Sequence, residues 1–276
     1  ALSRAQALRG TLELFAGDPE AARELLHQAE SHVDPHTAGM LATQSAFAAM
    51  LIGDIEGWRA DADRAASLLP DPSLARAFGA VARIAAGDAE AGRQALDQAL
   101  GTAAPPGAVE IHGLAAQAWS WLEEYARAEA MVESLLAALR ESGAVAPLVY
   151  PLTVRAWLDY RAGRWDAALA ASSEAVQLAV DTDQRAPLGG ALSVRATVRA
   201  ARGDAGGCRD DTARVLEGFN SILIEGYARS ALGVLALGEA DIESAIDQLT
   251  RAMTAAQAAG NRDPGATFPV YDLIEA

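Results

Sequence analysis

One short phrase recurs along the whole chain at a nearly constant interval, and this limits the fold more than any single residue does. It reads AGDPEAA at 16–22, IGDIEGW at 52–58, AGDAEAG at 86–92 and EEYARA at 123–128. It returns as AGRWDAA at 162–168, RGDAGGC at 202–208 and ADIESA at 240–245. With Gly17, Gly53, Gly87, Glu123, Gly163, Gly203 and Ala240 as markers, the successive intervals are 36, 34, 36, 40, 40 and 37 residues. A period of roughly 20–50 residues means stacked supersecondary units, and it overrides any domain count drawn from length alone.

Each phrase has a local physical meaning. Glycine ends one helix by adopting the left-handed backbone that other residues reach only at a cost. Asp18, Asp54, Asp88 and Asp204 follow directly as N-caps of the next helix. Pro19 takes a first-turn position where its missing N–H costs nothing, and Glu20, Glu56 and Glu90 favour the positive end of the helix. Every phrase is therefore a tight corner between two helices. The longer joints carry Asp34-Pro35, Pro70-Asp71-Pro72, Pro105-Pro106-Gly107 and Pro187. These breakers divide the chain into helix pairs near 2–32, 36–69, 72–101, 107–141, 146–180, 186–219 and 221–259, with a partial unit at 263–276. No stretch shows the alternation of a strand.

Aligning the phrases brings three columns into register. Seven residues before the markers stand Gly10, Ala46, Ala80, Ala116, Ala156, Ala196 and Gly233. Five after them stand Ala22, Trp58, Gly92, Ala128, Ala168, Cys208 and Ala245, and twelve after them Ala29, Ala65, Ala99, Leu135, Ala175, Val215 and Ala252. Small residues at three fixed offsets mean that helix backbones approach closely, within a pair and between pairs. About a quarter of the chain is Ala, which fits such packing. In these columns the chain resembles tetratricopeptide repeats over essentially its whole length. It departs from their 34-residue form in length and in a weak aromatic column before the corner. The expected fold is all-α: a right-handed superhelical solenoid of about seven antiparallel helix pairs plus a truncated helix, stabilised by stacking of nearest neighbours.

The opening RAQALRGTLELFAGDPEAARELLHQAE and the closing GNRDPGATFPVYDLIEA narrow the resemblance. They look like the repeat region of large ATP-binding LuxR-type transcriptional regulators of the maltose-activator kind. That resemblance implies a sensor module set between a P-loop ATPase and a LuxR-type helix-turn-helix. The chain does not begin with Met, as expected of a piece of a longer protein.

Composition removes much chemistry. All 22 basic residues are Arg, so no P-loop, Schiff-base or Ser-Lys lysine exists within these residues. A net charge of -15 without a basic run argues against direct nucleic-acid binding by this segment. One Cys permits neither an intrachain disulfide nor a zinc knuckle, and the expected location is the cytoplasm, with no membrane association. His32, Asp34 and His36 are interrupted by Pro35 and read as a loop rather than a metal site. His27 and His112 read as helix-surface residues, Cys208 as a buried thiol, and acidic pairs such as Asp210-Asp211 as capping and solvation. Neither an enzyme nor a cofactor is expected.

The informative surface is the inner wall. In such a stack the first helix of each pair lines the concave side, through positions thirteen, ten, six, three and two before the marker. The middle pairs place Tyr150, Trp157, Tyr160 and Arg161 there, with Glu110, Gln117, Ser120 and Trp121 beside them. Phe47, with Met40 and Met50, and Tyr227 extend the wall on either side. Aromatic faces with an Arg and amides suit a small-molecule effector or an extended peptide or protein partner. The same rings also suit a plainer role, filling space between repeats where Ala is too small. Read as a groove, they expect a sensing and self-association module of a transcriptional regulator, its rings exposed. The alternative is a free-standing scaffold for a peptide or protein.

Overall fold

Six of the seven markers adopt left-handed backbone in the computed structural model, which describes residues 2–16, 18–102, 109–219, 221–263, 265–266 and 269–276. Gly53, Gly87, Gly163 and Gly203 have φ between 73 and 90°, and Glu123 and Ala240 reach 61 and 59°. Gly17, the seventh, lies outside the described residues. The corner geometry is thus kept even where a side chain makes it cost about 1–2 kcal/mol. After the corners, Asp18, Asp54, Asp204 and Asp241 each accept a hydrogen bond from the main-chain N–H three residues on, at 2.8–3.1 Å. Asp34 and Ser221 open helices after two of the longer joints in the same way.

The pairs are α1 Leu2–Ala16 with α2 Pro19–Glu30, α3 Pro35–Ile52 with α4 Ile55–Leu68, and α5 Ser73–Ala85 with α6 Ala89–Thr102. They continue as α7 Val109–Trp121 with α8 Tyr125–Glu141, and α9 Val149–Arg161 with α10 Trp165–Asp181. The last two are α11 Arg185–Ala201 with α12 Ala205–Gly218, and α13 Ile222–Gly238 with α14 Ile242–Ala258. A short α15, Pro269–Glu275, follows, and no strand occurs among the described residues. The chain is an all-α solenoid.

The columns are its core. All 21 aligned positions are buried. At Gly233 an added Cβ would stand 2.5 Å from the Leu249 side chain, and at Gly92 it would meet Ile84 at 2.5 Å and the Ala80 carbonyl at 2.9 Å. Trp58, the large exception, is buried edge-on to Phe78 of the next pair, ring centroids 6.3 Å apart.

Stacking between neighbours is only part of what holds the fold. α1 also touches α11, and α3 touches α13. Ser221 Oγ donates to the Leu51 carbonyl, and Ile55 N–H donates to the Ala259 carbonyl at 3.3 Å. The expectation of purely nearest-neighbour contacts is therefore corrected. The curvature summed over seven pairs returns the chain onto its own second pair, and a cleft of about 570 Å³ lies along that seam.

Candidate functional site

The inner wall is more closed than its sequence pattern suggests. Trp157 lies 6.0 Å from Tyr160, edge-on, and 5.7 Å from Tyr227, which comes from two pairs further on. Val194 and Val198 of the intervening α11 complete this cluster. Only 5% of Trp157 is exposed. The expectation that these rings stand free on the concave side is not met, because curvature brings α9 and α13 together across α11 and the rings fill the space between them. Burial pushes the hydroxyls of Tyr160 and Tyr227 up to about 12, and that of Tyr150 up as well. Tyr150 lies over Gly113 of α7, where an added Cβ would be 2.9 Å from its ring. Phe47 stands apart, edge-on to Phe78 at 6.2 Å. Gln117 and Trp121 are half-buried on α7, and the side chain of Glu110 lies outside the described residues.

Polar contacts concentrate instead where the inner helices end. The last turn of a helix leaves carbonyls without intrahelical donors. The Leu51 carbonyl, at the end of α3, is taken by Ser221 Oγ. That of Ala85, at the end of α5, accepts from the N–H groups of Arg262 at 2.8 Å and Asp263 at 3.2 Å. That of Ser120, in the last turn of α7, accepts from Arg161 Nη1 at 3.0 Å, while Arg161 Nη2 donates to the Gly265 carbonyl. Residues 259–263, with Gly265 and Ala266, thus run as a strap along the corner edge of the inner wall. Within the strap, Asp263 Oδ1 accepts from Gly265 N–H at 2.9 Å and Ala266 N–H at 3.1 Å. Burial pushes this carboxyl above its ordinary range, against the pull of the two amides. Beside the strap, Ser120 Oγ and Trp121 Nε1 are buried without a partner among the described residues.

Of the nine residues read as a groove, the structure gathers Trp157, Tyr160 and Tyr227 in one cluster and brings Trp121 and Arg161 together at the strap. Sequence reasoning missed the Ala85 carbonyl and the partners Asp263 and Gly265. The signal available was the polar, Gly-containing run Gly260-Asn261-Arg262-Asp263 after the last pair.

Other candidate groups are structural. Asp61, 1% exposed, joins Arg23 at 2.9 Å, His27 at 3.1 Å and Arg64 at 2.9 Å. Burial alone would raise its pKa, but hydrogen bonding to His27 and the charge of Arg23 hold it below the ordinary value. Asp211 is equally buried, gripped by both arms of Arg195 at 2.7 and 2.8 Å and by Arg199 at 2.8 Å. The reading of Asp211 as solvated is corrected; His27 does lie on the surface of α2, but paired with Asp61 rather than alone. Cys208 is fully buried, and burial pushes its thiol up to about 12, which leaves it without nucleophilic character at neutral pH. Among the described residues no cluster could hold a metal ion, and no helix is long and apolar enough to cross a membrane.

No family model matches the chain, and no curated protein matches it in sequence. Its fold is shared with solved structures. One is NprR in complex with its cognate peptide NprX, with a TM-score of 0.61 and 13% identity, covering 98% of this chain and 82% of that one. Another is a tetratricopeptide repeat protein from Parabacteroides merdae, with a TM-score of 0.53 and 15% identity, covering 99% and 98% of the two chains. The fold is therefore that of a tetratricopeptide-like helical repeat.

Proposed function

We propose that the chain is a non-catalytic module that binds a peptide or protein partner along the inner wall of its helix stack. The observation that carries this reading is the hold of Arg161 on the main-chain carbonyl of Gly265, in a stretch that is not helical. A carbonyl is common to every peptide, and Arg beside aromatic side chains is the usual anchor of an interface. The likeness in fold to NprR, whose structure is a complex with its cognate peptide, supports the same reading. Phe47, Tyr150, Trp157, Tyr160 and Tyr227 shape the wall in this proposal. Gln117, Trp121 and Arg161 touch the partner, and Glu110 flanks them. Closure of the aromatic rings on one another favours a peptide at the corner edge over a small-molecule effector.

The wider reading rests on the resemblance of the two terminal phrases: the module senses its partner on behalf of a LuxR-type regulator in the cytoplasm and takes part in its self-association. Coding sequence with a P-loop upstream and a basic helix-turn-helix downstream is the expected result. Stop codons close to both ends favour the free-standing scaffold.

Panning a phage-displayed random dodecapeptide library against the full chain tests the binding proposal. Enriched peptides should bind at least about tenfold more weakly to Arg161→Ala and Gln117→Ala, as interface anchors do, with little change in melting temperature. A library that enriches nothing above an unrelated helical protein overturns the reading. Trp157→Ala is a poor probe, because removing a buried Trp costs roughly 3–5 kcal/mol.

A further inference from the structure

The strap meets four successive corners of the solenoid in order. Ala259 accepts from Ile55 N–H after the α3–α4 corner, and Arg262 and Asp263 donate to Ala85 at the end of α5. Gly265 lies against the end of α7, where a Cβ on it would be 2.0 Å from the Trp121 carbonyl oxygen, and Arg161 at the end of α9 reaches its carbonyl. The contacts at Ala259, Arg262 and Gly265 are three residues apart. The segment is not a strand: Gly260 is left-handed just after α14, and Ala266 N–H donates back to the Asp263 carbonyl at 3.2 Å, so it is the turned main chain that is presented to the corners.

We propose that the corners of the second to fifth pairs form a track for the main chain of a Gly-containing peptide, and that the chain's own residues 259–263, Gly265 and Ala266 occupy it in cis. This deepens the binding reading above and rests on it. The track recognises main-chain groups and demands a residue without Cβ against Trp121. It offers Ser120 Oγ and Trp121 Nε1 as further donors, buried and without a partner among the described residues. A partner in trans must displace the strap. Affinity in the resting chain is accordingly reduced by the fraction of molecules whose track is free.

The test uses a fluorescein-labelled peptide of sequence AAGNRDPGATFPV, that of residues 258–270, and the full chain. Gly265→Val in the chain ejects the strap, because the Trp121 carbonyl is main chain and cannot move aside. Asp263→Arg, which sets a like charge near Arg161 and removes the carboxylate that folds the strap, serves as a second ejecting variant. Trypsin cleavage after Arg262, accelerated while the helical circular dichroism is unchanged, reports ejection in a folded chain. The labelled peptide should then bind the ejected variants at least about tenfold more tightly than the wild type. The same peptide carrying the Gly265→Val change should not bind. Equal binding to wild type and ejected variants, or none to either variant once ejection is seen, overturns the track. If library-selected peptides still bind Arg161-dependently in that case, the broader binding reading stands and only this inference fails.

Discussion

Asp61 shows how far a single side chain's role depends on what lies across from it. Its carboxylate is held by Arg23 of α2, 38 residues away, by His27, and by Arg64 of its own helix. Without that carboxylate Arg23 keeps Asp54 and Arg64 keeps Glu30, so what is lost is charge-assisted hydrogen bonding rather than all compensation. Asp61→Asn should therefore lower stability at pH 7 by about 1–3 kcal/mol. The folded pKa of Asp61 is depressed, so its contribution is complete above the unfolded value near 3.9 and is lost as pH falls through the folded one. Urea unfolding at pH 7 and pH 3 checks this: the gap between wild type and variant should narrow at pH 3, and an equal gap contradicts the assignment. Asp211 could not be told from its exposed neighbour Asp210 in the sequence, since only the neighbouring helix supplies Arg195 and Arg199. Cys208 was legible, because it stands in a column whose other members are small or, once, a Trp.

At the scale of elements, the columns set how closely helices approach, and two principles compete at Gly92. Ala is favoured over Gly within a helix by about 1 kcal/mol. Here the added methyl would press on Ile84 Cγ1 at 2.5 Å and on main-chain atoms of α5 at 2.9 and 3.0 Å. Main-chain atoms in a packed pair cannot yield cheaply, so sterics should win. Gly92→Ala is expected to cost about 1–3 kcal/mol net, the usual range for overpacking, measured as a lower urea midpoint with unchanged slope. A stabilised variant would mean that α5 and α6 separate more easily than their contact implies. The corners were equally legible, including Glu123 and Ala240, which the period marked although neither is glycine. The side of the inner helices facing the axis was legible as a face, but not its exposure, which depends on how far successive pairs rotate.

Closure of the molecule adds couplings that a linear repeat array lacks. Ser221 Oγ both donates to the Leu51 carbonyl, 170 residues away, and accepts from Ile224 N–H as the N-cap of α13. Ser221→Ala should cost about 1–2 kcal/mol, a lost cap together with an unsatisfied carbonyl. Amide hydrogen exchange should quicken at the start of α13 and also at the end of α3. Quickening confined to α13 would show that the seam carries no coupling, and that the array frays as independent neighbours do.

What the sequence determined by itself is what short-range chemistry controls: where helices stop, which residue turns each corner, which cap starts the next helix, and which faces must be small. Those features depend on backbone sterics and hydrogen bonds within a few residues, and they repeat, so seven imperfect copies reinforce one reading. Tertiary structure alone decided that Trp157 meets Tyr227, that Asp61 and Asp211 are gripped by Arg, and that residues 259–263, Gly265 and Ala266 lie on the corners of α3 to α9. These follow from the rotation between successive pairs, a quantity spread over seven interfaces. Small changes at each, such as the Trp58–Phe78 contact, accumulate before the two ends meet.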